Sequence, residues 1–170
     1  MLTLLSMVAP QMPTPIMLQK VGDDGITKIG SPVQIFDRTA QDGPLVEAPS
    51  LLYDPDSSRY VLFYSSGCYA NPVYDTAYAF SAGSDITGPY IRVAPASKPA
   101  QDGGKPSQRL WRSGINGLHA PGGATAVMGA DGTPRMVFHG YTDAHGRRSM
   151  YTAQIQINAA SQTVNAWSVT

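Results

Sequence analysis

The 170 residues are enough for one sizeable domain and too few for two comfortable ones. Lys plus Arg and Asp plus Glu are 12 each, so the chain has no basic field for nucleic acid or for an anionic membrane surface. Only 14% of residues are charged while Gly (17) and Pro (14) abound, a turn-rich profile of many short strands rather than of a helical bundle.

Met1 to Pro10 is apolar, but it lacks a positive n-region and a clear small-residue cleavage site, so it reads as a poor signal peptide and better as an N-terminal strand or loose end. The segment 1–13 is taken as extended and 14–170 as one β domain. No apolar run reaches the roughly 18 residues of a membrane span. Cys68 is the lone cysteine, so no disulfide forms within the chain; in a secreted protein it would suggest a missing partner.

Ile16 to Val21 and Ile26 to Ile29 flank Gly22-Asp23-Asp24-Gly25, the pattern of a hairpin closed by an Asp-Gly turn. Ser31 to Phe36 continues extended, and Asp37 to Asp42 is a polar loop. The next apolar run holds Val46-Glu47-Ala48-Pro49-Ser50, followed by a turn at Asp54 to Ser58 and a return strand Arg59 to Ser66. A loop at Gly67 to Asn71 leads to a third strand, Tyr74 to Ser81, where Asp75, Ala77 and Ala79 alternate with Thr76, Tyr78 and Phe80. After a turn cluster at 83–90 comes a short strand, Ile91 to Val93, then a long polar loop from Ala94 to Gly117 of the kind that is functional or mobile in compact domains.

The pattern then returns. Leu118-His119-Ala120-Pro121-Gly122 mirrors the segment around Glu47, 72 residues further on (119 − 47). Strands at 124–128, 135–141, 149–157 and 164–169 complete a second four-strand meander. Two such units, preceded by a hairpin, predict an all-β, partial β-propeller with about two complete four-stranded blades and a piece of a third. The first strand of each blade lines the central channel, so Glu47 and His119 are expected to converge on one axis.

Glu47 lies where burial is expected, and burial moves a carboxyl toward the range a general acid needs. It is either such an acid or a strand-edge residue paired with Arg or Lys. His119 is a ligand, a base or a satisfied histidine in a polar core; His139 reads as structural and His145 as solvated. Nearly all Asp residues sit in turns, where they serve local backbone hydrogen bonds; Asp75 alone opens a strand and could face inward. Tyr64, Tyr69, Tyr74 and Trp111 would suit sugar stacking or, equally, hydrophobic cover.

Val46-Glu47-Ala48-Pro49-Ser50, Tyr60-Val61-Leu62-Phe63-Tyr64-Ser65-Ser66, Ser84-Asp85-Ile86-Thr87-Gly88-Pro89-Tyr90 and the segments around His119 and His139 resemble the second half of glycoside hydrolase family 43, over about residues 14 to 157. The resemblance implies a five-bladed propeller of secreted enzymes that cleave arabinose- or xylose-containing plant polysaccharides with inversion. It makes Glu47 the general acid, and Tyr64, Ser66 and Trp111 the substrate-binding candidates. His119 matches a histidine that in some members helps hold a metal, often calcium, though no cofactor is required. No Asp here matches the family's general base or the Asp that tunes the acid. The expectation is therefore a truncated hydrolase, poorly active or inactive and marginally stable, that binds carbohydrate and neither nucleic acid nor membrane. The alternative is a non-catalytic carbohydrate-binding or assembly module built on the same blades.

Overall fold

The computed structural model describes residues 14–92, 109–142, 146–167 and 169–170. The segment 1–13, His145 and most of the 94–117 stretch lie outside these. Among the described residues eleven strands make three antiparallel sheets. β1 (Ile16–Leu18) pairs with β2 (Val33–Phe36). β3 (Val46–Asp54), β4 (Arg59–Ser66), β5 (Asp75–Ser81) and β6 (Tyr90–Arg92) form a meander, with β7 (Arg109–Trp111) adding beside β6 on the outer edge of β5. β8 (His119–Met128), β9 (Pro134–Tyr141), β10 (Arg148–Asn158) and β11 (Thr163–Trp167) form the second meander. The molecule is all-β, a partial propeller of two blades and a two-stranded sheet. Among the described residues no helix is long and apolar enough to cross a membrane.

Two local expectations need correction. The strand expected at Ile26 to Ile29 is a turn region tied by one Val21–Lys28 bridge, and β1 pairs instead with β2. Asp24 explains the turn: its carboxylate accepts the Ile26 and Thr27 amides at 2.9 Å each, a geometry that ends a ladder. The long loop also contains β7, whose only three residues are too few to carry a period.

The first blade is covered on both faces. Val61, Phe63, Tyr78 and Phe80 point toward the second blade and meet Leu118, Ala126, Met136, Phe138 and Ile155. Leu62, Tyr64, Ala77 and Ala79 point the other way, onto Ile16, Ile35 and Phe36 of the two-stranded sheet. The register pairs Phe63 with Tyr78 on one face, and Leu62 with Ala79 and Tyr64 with Ala77 on the other. Each buried large side chain contributes about 1.5–3 kcal/mol. Hydrogen bonds tie the blades: the Ala126 amide donates to Ser50 Oγ at 3.0 Å and the Val164 amide to the Tyr78 hydroxyl at 3.1 Å. The outer face of the second blade is open, with Val127, Val137, Met150 and Trp167 exposed.

The repeat extends to one irregularity. In both blades the register slips directly after the equivalent residue, between Glu47 and Ser50 and between His119 and Gly122. In both, the alanine inside the slip has a left-handed backbone: φ is 50° at Ala48 and 47° at Ala120. A bulge of this kind adds a residue and turns the side chain before it out of the strand's alternation. The conformation is strained for any residue with a Cβ and most for a branched one. Ala48→Gly is therefore expected to keep or raise stability by up to about 1 kcal/mol, whereas Ala48→Val lowers it by about 2 kcal/mol; urea unfolding of the two variants measures both.

Candidate active site

Glu47 is the second residue of β3, just before the bulge, and is half-buried rather than buried. Directly across the ladder stand Ser65 of β4 and then Thr76 of β5, both fully buried. The same row of the second blade is His119, Tyr141 and Arg148. The two rows are stitched together: the Gly123 amide donates to Ser65 Oγ at 2.8 Å and Thr76 Oγ1 to the Pro121 carbonyl at 3.4 Å.

Beside Glu47 gather side chains to which the repeat by itself does not point. His119 begins β8 and is exposed. Tyr74, His139 and Arg148 fill the seam. The Tyr74 and His139 rings stack at 6.2 Å with 11° between their planes. Arg148 Nη1 donates to His139 Nδ1 at 2.5 Å, and since a guanidinium cannot accept, the neutral ring's proton sits on Nε2. The same guanidinium lies 4.2 Å from the Tyr141 ring centroid and donates to the Tyr69 carbonyl, which also accepts the Tyr141 hydroxyl at 3.2 Å. Burial, then the Arg148 charge, pushes His139 below its ordinary value, and Glu47 draws it partly back. Burial raises the Tyr74 phenol, Ser65 draws it down, the Glu47 carboxylate raises it further and Arg148 opposes.

From the sequence alone His139 reads as structural. The signal for it is the pair Gly122-Gly123 where the first blade has Ser50-Leu51: a Cβ at 123 would come within 2.5 Å of His139 Nε2, so the backbone leaves room for the ring. The three substrate-binding candidates need correction. Tyr64 and Ser66 are fully buried and Trp111 is 2% exposed. Tyr64 packs on Phe36, Ser66 Oγ donates to Asp75 Oδ1 at 2.6 Å, and Trp111 stacks on Phe138 at 5.1 Å. The blade that carries them is sandwiched between two sheets, which leaves no ring face for a sugar. Of the four aromatic residues considered, Tyr69 is the exposed one, at 60%.

The inward carboxylates are engaged. Asp75 faces inward as its position suggested, 3.2 Å from Arg109 Nε. Asp42, read as a loop residue, is fully buried; it accepts from Arg92 at 2.8 Å and from the Thr39 amide at 2.7 Å. Among the described residues no group of three or more His, Cys, Asp and Glu could hold a metal.

No family model and no curated protein sequence matches the chain. Solved structures do match. A thermostable family-43 glycoside hydrolase aligns with a TM-score of 0.70 at 20% identity, over 92% of this chain and 48% of that one. Cellvibrio cellulosa alpha-L-arabinanase aligns at 0.67 and 20%, over 91% and 50%, and has also been solved with arabinohexaose. An exo-1,5-alpha-L-arabinanase from a bovine ruminal metagenomic library aligns at 0.64 and 21%, over 89% and 48%. The chain thus spans about half the length of these structures.

His139 supplies a pH test. Its folded form is harder to protonate than its unfolded one, so as pH falls the unfolded chain takes up the proton first. This contribution to stability is whole above the ordinary value of 6.5 and declines as pH drops below it. The melting temperature should therefore fall between pH 7 and 5, less steeply in His139→Gln, as followed by circular dichroism. The fold itself is settled by the alignments: the chain has the fold of about half of a family-43 glycoside hydrolase propeller.

Proposed function

We propose that the chain is one arc of an inverting glycoside hydrolase of family 43, acting outside the cell on arabinose- or xylose-containing polysaccharides, with Glu47 as the proton donor to the leaving oxygen. The observation that carries this is the bulge at Ala48, which sets Glu47 at the head of an innermost strand. It stands there half-exposed beside a cluster of polar side chains, in a fold shared with glycoside hydrolases. Exposure lets the carboxyl reach a substrate, and Tyr69, exposed next to Arg148, offers a ring on which a sugar can rest.

Hydrolysis with inversion needs a second carboxylate roughly 6.5–9.5 Å from the acid, with room for water between them. Asp42 and Asp75 are held by arginines inside the blade and do not serve. The general base belongs to the part of the propeller that these 170 residues do not span. As a separate chain, the arc binds arabino- or xylo-oligosaccharides and turns them over slowly or not at all.

The exposed Tyr69 favours a second reading, a carbohydrate-binding module without catalysis. The two are separated by calorimetry and product analysis on arabinan, xylan and their oligosaccharides, using the chain and Glu47→Gln. Slow release of reducing ends that disappears in Glu47→Gln supports the hydrolase; binding that survives the substitution with no turnover in either protein supports the module. Robust turnover by Glu47→Gln overturns the role of Glu47. Under both readings Tyr69→Ala weakens oligosaccharide binding about fivefold, or about 1 kcal/mol.

A further inference from the structure

β3 has two ends, and the candidate active site occupies only one of them. At the other, Asp54 closes the strand and begins the turn to β4, roughly 20 Å from Glu47 at the rise of an extended chain. There the β3–β4 turn of the first blade meets the β8–β9 and β10–β11 ends of the second, and two hollows of about 470 and 490 Å³ open between them. Asp54, Asp56 and Ile157 line both, so the hollows adjoin as one groove. Ile157 packs on the core between the blades, which starts the groove in the seam rather than on the open outer face of the second blade. Each hollow is of the size of a small-ligand site, roughly 300–1,000 Å³.

The lining is chemically mixed. Asp54 is 8% exposed, and the Ser57 hydroxyl donates to its Oδ2; among the described residues its Oδ1 has no hydrogen-bond partner. A buried carboxylate oxygen in that state lacks the donor that burial calls for. Arg59 sets a cation in the first hollow beside the two carboxylates, and Asn158 adds an amide there. Met128, Pro134 and Trp167 supply apolar wall to the second hollow. Trp167 is 41% exposed, and its indole N–H donates to Gln154 Oε1 at 3.0 Å, which fixes the ring without using its face.

We propose that this groove is a second carbohydrate site, which holds an oligosaccharide segment at the end of the seam away from Glu47. The charges select the class of ligand. Asp54 and Asp56 repel an anion, Arg59 offsets part of their pull on a cation, and an unpartnered buried carboxylate oxygen disfavours an apolar ligand. A neutral chain of hydroxyls meets all three conditions. Its hydroxyls donate to Asp54 Oδ1 and Asp56 and accept from Arg59, and the C–H face of a sugar rests on Trp167. The choice of arabino- or xylo-oligosaccharides rests on the proposed function; the groove itself does not. Two sites on one arc hold a polysaccharide by two of its segments, so that each raises the local concentration at the other.

The test is a titration of the ¹⁵N-labelled 170-residue chain with arabinohexaose and xylohexaose, read at the indole N–H of Trp167, with Trp111, 2% exposed, as the internal control. The Trp167 signal should move to saturation with at least one of the two sugars while that of Trp111 stays, and should do so equally in the double variant Glu47→Gln/Tyr69→Ala. Asp54→Asn, checked for folding by circular dichroism, should weaken this binding about fivefold. Trp167→Ala lies on the edge strand β11 and is the second variant; followed through the methyl signals of Ile157, it should weaken binding by about the same factor. No movement of the Trp167 signal with either sugar, equal movement with a lysine-rich peptide, or an affinity unchanged in these variants overturns the proposal. Turnover that depends on Glu47, with a silent Trp167 signal, removes the groove alone. If nothing is turned over and Tyr69→Ala changes no binding, the proposed function fails, and the Trp167 signal still decides the groove.

Discussion

The structure depends on one constraint: a sheet with apolar residues on both faces is stable only when another layer stands on each of them. The first blade meets that condition. Its two central strands, β4 from Val61 onward and all of β5, are buried throughout, because odd positions of β4 pack on the second blade and even positions on the two-stranded sheet. The second blade meets it on one side only. Ala126, Met136, Ala153 and Ile155 are covered, whereas Val127, Val137 and Met150, on alternating positions of the same strands, face solvent. Stacking of this kind is what lengthens a propeller by one blade at a time, and the exposed face marks where the next layer would stand.

The same stacking explains the site. A blade edge alone presents a row of backbone groups; two edges held against each other make a seam, and polar side chains enter where the bulges loosen the ladder. Ser65, Thr76, Gly123 and Pro121 close the seam by hydrogen bonds, and Tyr74, His139 and Arg148 fill what is left. The buried charges form a separate group behind this row. Asp42 and Asp75 share Arg109, with Arg92 as a second cation on Asp42. Removing one member would strand a charge away from water, at a cost of about 3–5 kcal/mol. That arrangement holds the loop before β3 against the first blade, and so holds the strand that bears Glu47.

Much of this was legible in the sequence, for reasons that are local. The alternation of Asp75, Ala77 and Ala79 with Thr76, Tyr78 and Phe80 survives intact because β5 is regular. The 72-residue repeat was legible because a bulge with an alanine before a proline is a backbone solution that both blades share. What was not legible is non-local. Tyr64, Ser66 and Trp111 looked available for a sugar because nothing in their own strands says that both faces are covered; that depends on layers more than 20 residues away in sequence. Asp42 looked like a turn residue since its partners, Arg92 and Arg109, lie 50 and 67 positions later. His119 inherited the position of Glu47 but not its surroundings, because the glycines that follow it give the space to His139 and Tyr74.

Under the proposed function, the open face and the absent base have a common origin. In a closed ring, the residue across the channel from an innermost strand belongs to blades about half the ring away. The chain covers about half of the family-43 structures it matches, so under the proposed function the layer that would cover Val127, Val137 and Met150 and the carboxylate that would face Glu47 both belong to the other half. On that reading stability and chemistry are linked through geometry: whatever closes the ring would shield the apolar face and complete the channel in one step. Within the arc, Glu47 is placed by elements that need nothing from across the channel, namely the Ala48 bulge and the Ser65 partner across the ladder. These supports run along the seam between adjacent blades, where Ser65 and Thr76 of the first blade bond the Gly123 amide and the Pro121 carbonyl of the second.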